Sequence, residues 1–92
     1  MKRVEVKVPG YKDCYVTGLK LSARFKWERD CRDEITMIAS SLLSLCVVDA
    51  ENKPIMSLDE WDEFGIDNAD VCLSLYNKCL DMVGSVETAA KK

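Results

Sequence analysis

Residues 42–84 read LLSLCVVDAENKPIMSLDEWDEFGIDNADVCLSLYNKCLDMVG. The pattern predicts an apolar helix, a reversal of the chain, a short acidic helix and a final apolar helix. The reversal falls in residues 49–54, which are rich in turn-forming side chains, and Pro54 prevents the preceding helix from continuing. Helices should therefore dominate the C-terminal half.

The acidic helix has a clear predicted start and end. Ser57 and Glu60 have the spacing of a capping box. We predict a helix of about seven residues that closes at Phe64 and Gly65, because glycine readily adopts the left-handed conformation that follows many helices. Residues 67–68 offer a second cap, which starts the final helix. The apolar positions of that helix recur at steps of three and four: Val71, Cys72, Leu75, Cys79, Met82 and Val83.

The N-terminal residues have the period of a strand. Val4, Val6 and Val8 alternate with charged residues, which is typical of a half-buried strand. A turn leads to the β-rich run at residues 14–17, so we predict a hairpin with a connection of three to five residues.

Two helices are predicted between the hairpin and the reversal. Ser22 is the expected cap of the first, with Leu21 folded onto its first turn as a hydrophobic staple. Periodicity does not decide whether this helix continues past Cys31, and we favour a break or kink there. The central helix should begin at Ile35, and its predicted apolar stripe contains Ile35, Ile38, Leu42 and Leu45. Further apolar residues widen this stripe: Met37, Leu43, Cys46, Val47 and Val48.

The predicted fold class is α+β and predominantly helical, with an N-terminal β-hairpin followed by three to four helices. A chain of 92 residues can bury one small core. We expect a single small domain over residues 1–84, with the hairpin in 1–20 and the helical part in 22–84. Residues 85–92 are expected to form a flexible tail.

Composition argues against catalysis and cofactor binding. The chain has no histidine, which is the usual general acid or base near neutral pH. Its five cysteines include no C-x-x-C pair, which favours reduced thiols over a zinc site. We predict no catalytic, metal or cofactor-binding residues.

The sequence also indicates where the chain resides. It contains no apolar run of transmembrane length and no signal-peptide core, so we expect a cytosolic protein without membrane contact. The small net charge of −3 does not favour nucleic acid as a partner, although residues 24–32 are basic.

Charge is distributed unevenly along the chain. Residues 1–32 contain nine basic and four acidic residues, whereas residues 49–83 contain two and nine. This asymmetry fits either complementarity within one subunit or a head-to-tail contact between subunits. The predicted oligomer contact contains Lys20, Arg24, Lys26, Arg29, Asp59, Glu60, Asp62 and Glu63.

Three aromatic residues are candidates for a partner contact. Trp27, Trp61 and Phe64 lie on helices that also carry charged residues, and tryptophan is a common interface anchor. Such rings are also common in cores. The pattern leaves both readings open.

The C-terminal half resembles the tail assembly chaperones of long-tailed, siphovirus-type bacteriophages and prophages. The residues that carry this resemblance are Asp49, Lys53, Pro54, residues 57–63, Gly65 and residues 71–84. It implies a homo-oligomeric protein that binds the tape measure protein, prevents its aggregation and helps recruit tail tube subunits during virion morphogenesis. It also implies action in the host cytoplasm and absence from the mature virion.

Many members of this family exist in two lengths, the longer made by ribosomal frameshifting. Lys91 and Lys92 are compatible with an A-rich slippery site. The alternatives are a structural tail or head-tail joining component and a small helical nucleic-acid-binding regulator.

Overall fold

The computed structural model describes residues 3–83. The predicted tail at residues 85–92 and the frameshift position at residues 91–92 lie outside that range. The fold is α+β and mostly helical, as expected. The elements are β1 (Arg3–Val6), β2 (Cys14–Thr17), α1 (Leu21–Asp33), a 3-10 turn (Ile35–Met37), α2 (Ile38–Cys46), β3 (Val47–Val48) and α3 (Leu58–Val83).

The sheet contains one strand more than the predicted hairpin. β1 pairs antiparallel with β2, with Val4 opposite Val16, and residues 7–13 form a longer connection than expected. β2 then pairs with β3, with Val16 opposite Val47. The sequence pattern predicts that Val47 and Val48 belong to the central helix, and this prediction is wrong. Their β-branched side chains favour extended backbone, and pairing with β2 stabilises that conformation.

The chain reverses after β3 as predicted. Asp49 accepts hydrogen bonds at Oδ1 from the backbone N–H groups of Glu51 and Lys53, both at 2.9 Å. Asn52 has a φ of 65°, which asparagine tolerates better than most residues. Pro54 then forms a bridge with Val48, so the turn returns the chain to the sheet.

The predicted start of α1 is wrong in its details. The helix is preceded by Lys20 in an extended conformation, with no side-chain cap, so Ser22 does not cap it. Leu21 is 69% exposed and therefore is not a hydrophobic staple. Leu19 packs against the core instead, and the helix begins directly after it.

The favoured break between the first two helices exists, but it lies at Glu34. The φ of −142° and ψ of 77° at Glu34 end α1, and α2 begins after the 3-10 turn. The predicted stripe is wrong at Ile35 and Leu45, which are both exposed. The buried residues of α2 are Leu42, Leu43 and Cys46.

The acidic helix does not close at Gly65 as predicted, and the final helix follows it across a kink at Asn68, which lies in the predicted second cap at residues 67–68. α3 continues from Leu58 to Val83, with one non-helical residue, Asn68 (φ −134°, ψ 38°). The Asn68 side-chain amide donates to the Phe64 carbonyl at 3.3 Å, which satisfies a backbone acceptor at the kink. Trp61 before the kink and Leu75 after it are both buried in one core, so tertiary packing holds the two segments as one bent helix.

The capping box is confirmed. The Ser57 hydroxyl oxygen accepts from the Glu60 N–H at 3.2 Å, and the Glu60 carboxylate accepts from the Ser57 N–H at 2.9 Å. These two hydrogen bonds fix the first turn of α3.

We expect Ser57→Ala to lower the free energy of unfolding by about 1 kcal/mol, because it removes the cap acceptor. Urea denaturation measures the loss, and Ser40→Ala is a control for loss of a serine hydroxyl that caps no helix. Equal stability of Ser57→Ala and the unsubstituted chain would contradict a stabilising cap.

The same capping box predicts a pH dependence. The hydrogen bonds from the Ser57 backbone and then its side chain lower the pKa of Glu60. A carboxyl whose pKa is lower in the folded state stabilises the fold above its unfolded pKa, and this contribution is lost as pH falls through the folded pKa. The stability difference between the unsubstituted chain and Glu60→Gln, measured by urea denaturation, should therefore shrink in acid.

One core connects the sheet to all three helices. Its buried members are Val6, Val8, Cys14, Val16, Trp27, Cys31, Leu42, Leu43, Cys46, Val47, Met56, Trp61, Leu75 and Cys79. Residues from β1 to the end of α3 therefore depend on one another for burial. This shared core sets which side chains remain on the surface.

Candidate partner-binding surfaces

Two of the three aromatic residues predicted to meet a partner are core residues. Trp27 is 2% exposed and Trp61 is 1% exposed. Trp27 donates from its indole nitrogen to the Ser41 hydroxyl at 3.1 Å, and Trp61 packs edge to face against Phe64 at 5.6 Å between ring centroids. Trp61 therefore fits the core reading, whereas Trp27 also lines an apolar groove described below. A partner contact of either residue stays a prediction. Phe64 is half-buried, and its contact with a partner stays a prediction.

Arg24 does not belong to the basic surface of the predicted oligomer contact. Arg24 is buried, and its guanidinium donates to the Val83 carbonyl at 2.9 Å and to the Glu28 carboxylate at 2.6 Å. These contacts connect α1 to the end of α3, so Arg24 is a structural residue. Lys20, Lys26 and Arg29 are exposed as expected.

The four acidic residues of the predicted oligomer contact are all exposed. Glu60 is used in the capping box, and Asp62 accepts from the Ser40 hydroxyl at 3.1 Å. Asp59 and Glu63 complete the group on the first segment of α3. The head-to-tail contact stays a prediction, now with Lys20, Lys26 and Arg29 as its basic side.

An apolar groove lies between α1, α2 and the start of α3. It has a volume of about 340 Å³ and is lined by Ala23, Lys26, Trp27, Asp30, Ser41, Ser44, Leu45 and Leu58. Leu45 and Leu58 are large apolar residues with substantial exposure. Two charged residues, Lys26 and Asp30, line the α1 side of the groove. Such a groove is suited to an apolar side chain of a partner helix.

Sequence reasoning missed both leucines as surface residues. Leu45 was assigned to the buried stripe of the central helix, because its spacing from Leu42 fits a helical period. The β-branched pair Val47 and Val48 is the signal that could have shown that the helix ends before them. Val47 and Val48 belong to the sheet, so α2 ends at Cys46, and its buried residues are Leu42, Leu43 and Cys46, all within the predicted stripe.

A second groove separates the β1 strand from the second segment of α3. It has a volume of about 570 Å³ and is lined by Glu5, Val6, Lys7, Asp70, Val71, Ser74, Leu75 and Lys78. Its floor is apolar, because Val6 and Leu75 are core residues. Its rims carry charges of both signs.

The cysteines are free thiols, in agreement with the sequence expectation. A hydrogen bond with Cys46, together with burial, raises the pKa of Cys79 far above its ordinary range. Burial also raises the pKa of Cys14, Cys31 and Cys72. A raised pKa keeps these groups in the thiol form at neutral pH, in which sulfur is a poor nucleophile.

Residues 3–83 contain neither a candidate metal site nor a candidate membrane-spanning helix. No group of three or more Cys, Asp or Glu side chains in this range is arranged to hold a metal ion. No helix in the same range has both the length and the apolar character needed to cross a membrane.

Comparison with protein-family models, with curated proteins and with solved structures finds no match to this chain.

Proposed function

We propose that this chain is a tail assembly chaperone of a long-tailed bacteriophage or prophage. It binds the tape measure protein, keeps that protein from aggregating and helps recruit tail tube subunits. It acts in the host cytoplasm as a homo-oligomer and is absent from the finished virion.

Local hydrogen bonds of the residues that carry the family resemblance support the proposal. Asp49 organises the turn, and Ser57 with Glu60 caps the next helix. These hydrogen bonds produce the order of apolar helix, turn and acidic helix on which the family resemblance depends.

The observation that carries the proposal is the apolar groove beside Trp27. A chaperone for a long helical client needs accessible apolar surface that charged residues keep soluble. Leu45 and Leu58 supply apolar surface at this groove, and Lys26 and Asp30 supply charge next to it. Several subunits along one client would combine weak contacts of this kind into high avidity.

Co-expression tests the proposal directly. We expect the tape measure protein encoded by the same phage or prophage to remain soluble and to co-purify with this chain, and to aggregate when expressed alone. Leu45→Glu together with Leu58→Glu should abolish this rescue. Ile66→Glu is the matched control, because Ile66 is 80% exposed and does not line the groove.

A tape measure protein that aggregates equally with and without this chain would overturn the proposal. Detection of the chain by mass spectrometry in purified virions would favour the structural tail component instead. Expression from native DNA, with an N-terminal tag, should also yield a minor longer product joined near Lys91 and Lys92, if this member uses a frameshift.

A further inference from the structure

The free edge of the sheet is the starting point for a second inference. The strand order is β1-β2-β3, so β1 is an edge strand. Among residues 3–83, β1 pairs with β2 only. Backbone N–H and C=O groups on its other side are available to pair with an added strand.

The side chains of this edge have self-complementary charges. Glu5 in β1 and Lys7 just after it are exposed, whereas Val6 and Val8 are buried, so the alternation of the strand continues to Val8. No ion pair within the described part of the chain involves Glu5 or Lys7. Arg3 on the same face is already engaged, since it donates to the Ala50 carbonyl and lies 4.0 Å from the centroid of the Tyr15 ring. Lysines on an edge strand often prevent association with another strand. At this edge Lys7 is accompanied by Glu5, so two copies of the edge can place opposite charges together.

We propose that a second copy of this chain pairs with this edge through residues 4–8, which are the end of β1 and the two residues that follow it, antiparallel and around a two-fold axis at Val6. In that register, Val6 faces Val6 of the second copy, and Glu5 of each copy faces Lys7 of the other. Opposite charges directly across an antiparallel pair stabilise it.

The groove between β1 and α3 is centred on the same two-fold axis. Its strand side is centred on Val6, and its helix side extends from Asp70 to Lys78 with Ser74 at the middle. A two-fold axis at Val6 reverses the direction of α3 in the second copy. It therefore places Asp70 of each copy on the side of Lys78 of the other, so the helices repeat the complementarity of the strands.

The result is a closed, isologous dimer with a continuous six-stranded sheet. It specifies the interface of the homo-oligomer proposed above, and its test does not involve the client. A failure of the dimer and a failure of client binding are therefore distinguishable.

Charge exchange provides the experiment. Glu5→Lys alone and Lys7→Glu alone each place like charges across the two-fold axis, and each should weaken dimerisation at least about tenfold. An equimolar mixture of the two variants restores opposite charges at both pairs, so it should form a heterodimer. Sedimentation equilibrium should give about twice the monomer mass of 10.4 kDa for the unsubstituted chain and for the mixture.

Arg32→Glu is the control, because it reverses an exposed charge on α1 that belongs to no proposed contact, and it should leave the dimer unchanged. Amide hydrogen exchange provides a second measurement on the unsubstituted chain. Protection of the outward amides of residues 3–6 should rise with protein concentration.

Three results would overturn the proposal. The first is a monomer at every concentration tested, and the second is a dimer that both single variants leave intact. The third is protection of β1 that does not depend on concentration and is lost when residues 84–92 are deleted, since the C-terminal segment would then occupy the edge.

Discussion

Replacing Trp61 with alanine should lower the free energy of unfolding by about 3–5 kcal/mol, because the substitution leaves a large cavity in the core. Trp61 is 1% exposed and packs edge to face on Phe64. A domain of this size has a total stability of about 5–15 kcal/mol, so the loss removes a large part of it. Urea unfolding followed by circular dichroism measures the change.

Trp61→Phe is the matched control for this cavity. The Trp61 indole nitrogen is buried without a hydrogen-bond partner among the described residues, and an unsatisfied buried donor is costly. Phenylalanine keeps an aromatic ring and removes that donor, so its cost should be well below that of alanine. An alanine variant with unchanged stability that has lost only partner binding would contradict the core assignment.

Arg24→Ala should lower the free energy of unfolding by about 2–4 kcal/mol. The substitution leaves the Glu28 carboxylate without its guanidinium partner and removes a donor from the Val83 carbonyl. Both side chains of the ion pair are largely buried, at 10% and 12% exposure. Breaking such a pair is costly because the remaining charge stays desolvated.

Arg29→Ala is the control for Arg24→Ala, since it removes the same kind of side chain from the same helix. The Arg29 side chain is 68% exposed and lies 3.7 Å from Asp30, and surface pairs of this kind contribute about 0–1 kcal/mol. A double-mutant cycle with Glu28→Gln should give a coupling energy of about 0.5–3 kcal/mol. Equal losses for Arg24→Ala and Arg29→Ala would show that Arg24 is not a structural residue.

Signals that depend on a few neighbouring residues predicted the structure well. The alternating valines indicated the first strand, residues 49–54 indicated the reversal, and Ser57 with Glu60 indicated a helix start. Each of these features depends on hydrogen bonds or side-chain directions within a few residues, so spacing is enough to identify them.

Features that depend on distant partners were missed. Val47 and Val48 look like the end of an apolar helix until β2 is present to pair with them. Gly65 looks like a helix terminus, yet the burial of Trp61 and Leu75 in one core keeps α3 continuous past it. In both cases the energy of tertiary packing exceeds the local conformational preference.

The candidate surfaces also combine features that the sequence shows with features that only the fold shows. The charges of Glu5, Lys7, Asp70 and Lys78 can be read from the sequence, but only the fold brings β1 and α3 together along one groove. Arg24 looked like a surface cation until burial placed it between α1 and α3. Residue spacing therefore determined the turns, the caps and the alternation of the strand, because their interactions are local. The tertiary structure decided which apolar and charged side chains are accessible, because burial depends on contacts between residues far apart in the chain.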